Sequence, residues 1–145
     1  MLKQGEFSLI SSNRYHKDGT LPTNAQDIFV FGSNLAGIHG AGAAKVARDQ
    51  FGAPLGAGCG YMGNAYAIPT KDKRVETMDL FEINKYVKHF IYFTQLFPER
   101  TFFVTRVGCG LAGYSDSQIA LMFIGAKNCS FAEQWKPYLE INNGL

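Results

Sequence analysis

Two stretches of this chain share one layout, and that layout limits the possible folds more than any other feature. Phe102-Phe103-Val104 leads into Arg106-Val107-Gly108-Cys109-Gly110-Leu111-Ala112-Gly113-Tyr114, and a helix is expected from Ser115. Upstream, Ile28-Phe29-Val30-Phe31 leads into Gly32-Ser33-Asn34-Leu35-Ala36-Gly37-Ile38-His39-Gly40-Ala41-Gly42, then into the helical run Ala43-Ala44-Lys45-Val46-Ala47. Short apolar runs rich in β-branched and aromatic residues predict buried strands. Glycines let a backbone approach a bulky group and turn its amides toward it. A strand, a glycine-rich loop and a helix N-terminus together make a common phosphate site. In open α/β sheets ligands sit beyond the carboxyl ends of the strands, where both loops fall. Two such units facing one ligand imply a pyrophosphate or dinucleotide site; the competing reading is that the glycines only make tight turns.

The rest of the chain predicts strands alternating with helices, hence an α/β sandwich with a mostly parallel sheet. Phe7-Ser8-Leu9-Ile10 reads as a first strand, and residues 11–26 as a polar segment with turn signals at Asp18-Gly19 and Leu21-Pro22. A helix over residues 43–51 ends at Gly52 and Pro54. Residues 56–63 read as a flexible linker or a third loop, Ala65-Tyr66-Ala67-Ile68-Pro69 as a strand, and residues 70–74 as a charged loop. Asp79 caps a helix through Leu96, with Leu80, Ile83, Tyr86, Val87, Phe90 and Ile91 at helical spacing and Pro98 as the stop. Residues 101–107 form the central strand, and Ser115 caps a helix over residues 116–127 with Ile119, Met122 and Phe123 inward. Cys129-Ser130-Phe131 reads as an edge strand, and residues 135–139 pack on the core.

The 145 residues suit one domain, residues 1–145, with a real core. A net charge of +2 without a dense Lys/Arg stripe argues against nucleic-acid binding by bulk charge. Cys59, Cys109 and Cys129 are widely spaced, with no CxxC pair, and the three histidines are scattered, so no metal site is expected. Reduced thiols in a cytoplasmic setting are the simplest reading, and no signal peptide or membrane span is expected.

Both loops resemble those of macrodomains, the ADP-ribose-binding modules. In that family an apolar strand ends in an Asn and runs into a Gly-rich loop that opens a helix; residues 31–42, with Asn34 at the ribose-contacting position, fit this pattern. Residues 106–114 are similar to the Gly-Cys-Gly-Leu phosphate loop of the branch that removes ADP-ribose from proteins or DNA. The resemblance spans residues 28–123, and its second loop is the more specific match. It implies a three-layer α/β/α sandwich with a mostly parallel mixed sheet, and a phage or bacterial macro-like protein. Its ligand is ADP-ribose or a related nucleotide, free or carried on a protein or nucleic acid, with no cofactor. The implied binding residues are Gly32, Ser33, Asn34, Gly37, Gly40, Ala41, Gly42, Thr70, Gly108, Cys109, Gly110, Leu111, Ala112, Gly113 and Tyr114.

Departures from the pattern bear on catalysis. Several hydrolases of that branch carry an acid directly after Gly-Cys-Gly-Leu, where this chain has Ala112; Asp116 lies four residues later and either substitutes or flanks a helix start. Lys71 matches a loop lysine of some members, with Lys73 competing, and Asp18 and Asp27 compete for the adenine-reading acid. His39 is a general base toward a ribose-bound water or a surface loop histidine. Lys71 pairs with phosphate, attacks an anomeric carbon, or does neither. Cys109 has only Arg106 nearby as a cation and reads as a small residue packed under the loop. Arg106 contacts phosphate or pins the strand end, and Tyr114 covers the ligand or packs in the core. The expected functions are therefore hydrolysis of an ADP-ribosyl bond or of an ADP-ribose-derived phosphate by His39, Lys71 or Asp116, or non-catalytic sequestration of an NAD-derived signalling nucleotide.

Overall fold

The computed structural model describes residues 13–140; the strand expected at Phe7-Ser8-Leu9-Ile10 lies outside them. Among the described residues the strands are β1 (Arg14–His16), β2 (Ile28–Asn34), β3 (Gly60–Met62), β4 (Ala65–Lys71), β5 (Phe102–Val104) and β6 (Cys129–Ala132). Among the described residues the α-helices are α1 (Gly42–Gln50), α2 (Leu80–Leu96), α3 (Asp116–Ala120) and α4 (Lys136–Leu139). The six strands form one mixed sheet in the order β1-β6-β5-β2-β4-β3. All neighbours are parallel except β3, which runs antiparallel to β4.

Strand alternation divides the core. Ile28, Val30, Tyr66, Ile68, Phe102, Val104 and Phe131 face one side, with Ile83, Val87, Phe90 and Ile91 of α2, and with Ile119, Phe123 and Trp135. Phe29, Phe31, Ala65, Ala67 and Phe103 face the other side, where Ala44 and Ala47 of α1 pack. A strand buried on both faces reads as a continuous apolar run, as Ile28 to Phe31 does. Asp79 caps α2 by accepting from the Glu82 amide at 2.9 Å, as the sequence pattern predicts.

Several elements differ from expectation. Arg14–His16, inside the segment read as polar loop, is a strand because β6 offers it a parallel edge. Gly60–Met62, read as linker or loop, pairs with β4. β4 continues through Thr70 and Lys71, and β5 stops at Val104. β6 is not an edge strand, because β1 covers its outer side. The helix expected over residues 116–127 ends at Ala120, continues as a 3-10 turn over Leu121–Phe123, and closes at Gly125 with φ 105.

Candidate nucleotide cleft

A cleft of about 650 Å³ opens at the carboxyl ends of β2, β4 and β5. From β2 the chain passes through α1 and β3 to β4 on one side; from β5 it passes through α3 to β6 on the other. The ends of β2 and β5 therefore flank a topological switch point, where open α/β sheets form a crevice. Both glycine loops meet there. Gly32, Ser33, Asn34, Gly40, Ala41, Gly42, Thr70, Lys71, Gly108, Cys109, Gly110, Leu111 and Ala112 line the cleft; Gly37, His39, Gly113, Tyr114 and Asp116 do not.

The first loop is braced from below. Asn34 Nδ2 donates to the Ile38 carbonyl at 2.8 Å, and the Ile38 amide donates to Asn34 Oδ1 at 3.0 Å. Each side-chain atom of Asn34 keeps one further donor or acceptor position for a ligand. Ser33 Oγ donates to the Gly58 carbonyl at 2.5 Å, and Thr70 Oγ1 to the Ser33 carbonyl at 3.3 Å. Backbone lies directly on backbone here: a Cβ on Gly37 would sit 2.3 Å from the Gly56 carbonyl carbon, and one on Gly58 2.0 Å from the Asn34 oxygen. Gly37 is a packing residue. His39 is neither a cleft base nor a surface residue. It is fully buried, edge-on to Phe31, with Nε2 3.0 Å from both the Pro54 and Ala57 carbonyls. Nε2 facing two acceptors carries the hydrogen, and Nδ1 has no partner among the described residues.

Above these braces the backbone is open. Ala41 is the N-cap of α1, its side chain makes no capping bond, and the first turn holds no acid. The amides of Gly40, Ala41, Gly42, Ala43 and Ala44 find no acceptor among the described residues, and neither do those of Gly108, Gly110, Leu111 and Ala112. An uncapped helix start carries partial positive charge that attracts anions. Gly40 and Gly110 need not be glycine for the fold: neither has a positive φ, and a Cβ would meet nothing nearer than Ile38 Cγ2 at 4.0 Å from Gly40.

The second loop works differently from the first. Ser115 and Gln118 close the start of α3 with a reciprocal capping box, so this five-residue helix presents no open N-terminus. Tyr114 turns inward and donates to the Met78 carbonyl at 2.5 Å. Asp116 accepts Arg106 Nε and Nη2 at 2.9 Å each and Trp135 Nε1 at 2.8 Å. Burial pushes its carboxyl pKa up, but these hydrogen bonds outweigh burial and the net shift is downward. Arg106 lines the cleft and also holds Asp18 through Nη1 at 3.1 Å. Burial and the neighbouring Asp116 carboxylate push the Cys109 thiol up to about 12, so it is a thiol at neutral pH. Lys71 lines the cleft with no carboxylate partner among the described residues.

Sequence reading missed one wall. His16 on β1 stacks on Phe103 with centroids 3.8 Å apart, and both line the cleft with Phe29, Val46, Thr20 and Leu21. His16 Nδ1 lies 2.8 Å from Ser130 Oγ, and burial lowers its pKa to about 4. A three-residue strand has no periodicity to find; the only signal was the strand alternation that turns Phe29 and Phe103 to the same face. Of the two acids weighed, Asp18 lines the cleft, while Asp27 bonds Thr101 Oγ1 at the amino end of β2. Among the described residues no group of His, Cys, Asp or Glu is placed to hold a metal, and no helix is long and apolar enough to cross a membrane. Comparison with known proteins finds no matching family model, no matching curated relative and no matching solved structure.

Proposed function

We propose that this chain is a macrodomain-like, three-layer α/β/α protein that binds ADP-ribose or a closely related nucleotide in the cleft. The observation that carries the reading is the convergence of two runs of unpaired amides, residues 40–44 and 110–112, at the switch point between β2 and β5. Oriented amides in a concave backbone favour a diphosphate. The His16–Phe103 wall offers a ring to a base. The volume, about 650 Å³, lies within the range of small-ligand sites.

Binding without turnover is the form best supported. His39 braces the loop from outside the cleft, and Asp116 is committed to Arg106 and Trp135. Hydrolysis of an ADP-ribosyl bond is the second reading, favoured by Lys71 alone, which lines the cleft with no carboxylate partner among the described residues.

Calorimetric titration with ADP-ribose, an ADP-ribosylated peptide and AMP tests the proposal, with product analysis of the same samples. Heat with ADP-ribose, none with AMP and unchanged ligand is the expected result; a new product moves the chain to the hydrolase reading. Gly40→Glu and Gly110→Glu are expected to fold, because a Cβ at either position meets nothing closer than 4.0 Å. They abolish binding by placing a carboxylate among the amides. No heat with any ADP-ribosyl ligand overturns the proposal.

A further inference from the structure

We infer that Val75 sets ligand specificity: with Ile38 and Leu111 it forms an aliphatic clasp over the sugar farthest from the base. The inference rests on the ADP-ribose reading above.

Val75 has φ 61. A β-branched residue in the left-handed region is a genuine outlier, whereas glycine or asparagine sits there readily. The turn that imposes this conformation is built without the valine side chain. Asp72 Oδ1 accepts the Arg74 and Glu76 amides at 2.9 and 3.0 Å. The Val75 amide donates to the Asp72 carbonyl at 3.0 Å, and the Asp72 amide to the Glu76 carbonyl at 2.8 Å. Lys71 and Thr77 bridge below it. Strain of this kind persists only where the surroundings over-determine it, and it collects at ligand sites. The Val75 side chain is not spent on the core: the residue is 42% exposed and lines the cleft.

Ile38, 50% exposed, and Leu111, 72% exposed, line the same cleft. Each of the loops that follow β2, β4 and β5 thus brings one exposed aliphatic side chain to a shared opening. Exposed apolar groups converging on a concave site mark a surface that a ligand covers. Strand order decides which part of the ligand this is. The His16–Phe103 wall belongs to β1 and β5, the amides to the loops after β2 and β5, and Val75 to the far side of β2, after β4. A nucleotide with its base on the wall and its diphosphate on the amides brings its distal ribose to Val75. The C–H face of that ring is the apolar surface available for the clasp.

The test is calorimetric titration of the wild-type chain, Val75→Gly and Val75→Asn with ADP-ribose and with ADP, which lacks the distal ribose, alongside thermal melts. Val75→Asn is expected to melt higher than wild type, because asparagine sits readily at this φ; Val75→Gly relieves the same strain but frees the unfolded chain, and serves as the affinity control. ADP-ribose affinity is expected to fall about tenfold, and ADP affinity less than about threefold, as for a lost aliphatic contact in a pocket. Unchanged ADP-ribose affinity makes Val75 a strained turn residue only and overturns the clasp while leaving the amide site standing. Equal losses for both ligands overturn the assignment to the distal sugar. A lower melting point for Val75→Asn shows that the valine serves the turn, and sinks the inference. A wild-type chain that binds neither ligand overturns the inference together with the proposed function.

Discussion

Arg106 donates twice to Asp116 and once to Asp18, so the residue directly before the second glycine loop is held from two sides. This geometry decides between the roles that Asp116 can play. A carboxylate receiving a bidentate guanidinium and an indole N–H has its oxygens aimed at protein donors rather than at a substrate water. Asp116→Asn is therefore expected to cost about 1.5–3 kcal/mol of stability, the scale of a hydrogen bond to a charged group, with ADP-ribose still bound. Thermal melts beside the titration check this; an unchanged melting point would show that Asp116 does not serve as a brace. His39 shows why residue type alone misleads. An imidazole in a glycine-rich loop reads as a base or a surface residue, yet its neighbours in space are the Pro54 and Ala57 carbonyls, contributed by a segment fifteen and eighteen residues away. Nothing local to His39 announces them.

At the scale of elements, the two strand–loop–helix units were legible and their difference was not. Apolar runs, glycine spacing and the Ala-rich stretch after Gly42 locate β2, β5 and α1. The open start of α1 and the closed start of α3 rest on caps: Ala41 has no side-chain acceptor, while Ser115 and Gln118 bond each other's backbone. Ala41 is already extended, with φ −155 and ψ 161, which suits a capping residue. Ala41→Asp is expected to stabilise the chain by about 1 kcal/mol by capping α1. The same carboxylate enters the amide cradle, so ADP-ribose affinity is expected to fall more than about tenfold. A higher melting point together with weaker binding is the result to look for; stabilisation with unchanged affinity would remove α1 from the site. The short α3 has its own cause. Trp135 and Phe123 fill the space under the sheet, and the turn at Gly125, with φ 105, leads the chain down into β6.

For the molecule as a whole, the sheet order brings distant segments to one cleft. β1 reaches it only because it pairs with β6, and it carries His16 onto Phe103. Burial lowers the His16 pKa to about 4 from an ordinary 6.5, against the raising effect of Asp18 and with the lowering effect of Arg14. The unfolded chain then binds a proton that the folded chain refuses between these values. Stability from this group is full above about pH 6.5, falls as pH drops toward 4, and levels off below. Thermal melts across that window are expected to decline for the wild type and to decline less for His16→Phe, which keeps the stack. Parallel declines would mean that His16 titrates normally.

By itself, the sequence determined the alternation of strands and helices, the apolar faces of β2, β4 and α2, and the position of two glycine loops at strand ends. These features are local, governed by side-chain periodicity and by backbone freedom within a few residues. Tertiary structure alone decided which amides stay unpaired, which acid and histidine are consumed as braces, and that His16 and Phe103 build a wall of the cleft. Those outcomes depend on partners far apart in the chain, such as Asn34 on Gly58 and Arg14 opposite Ser130. A chain announces its own periodicity, but not what will stand beside it once the sheet is ordered.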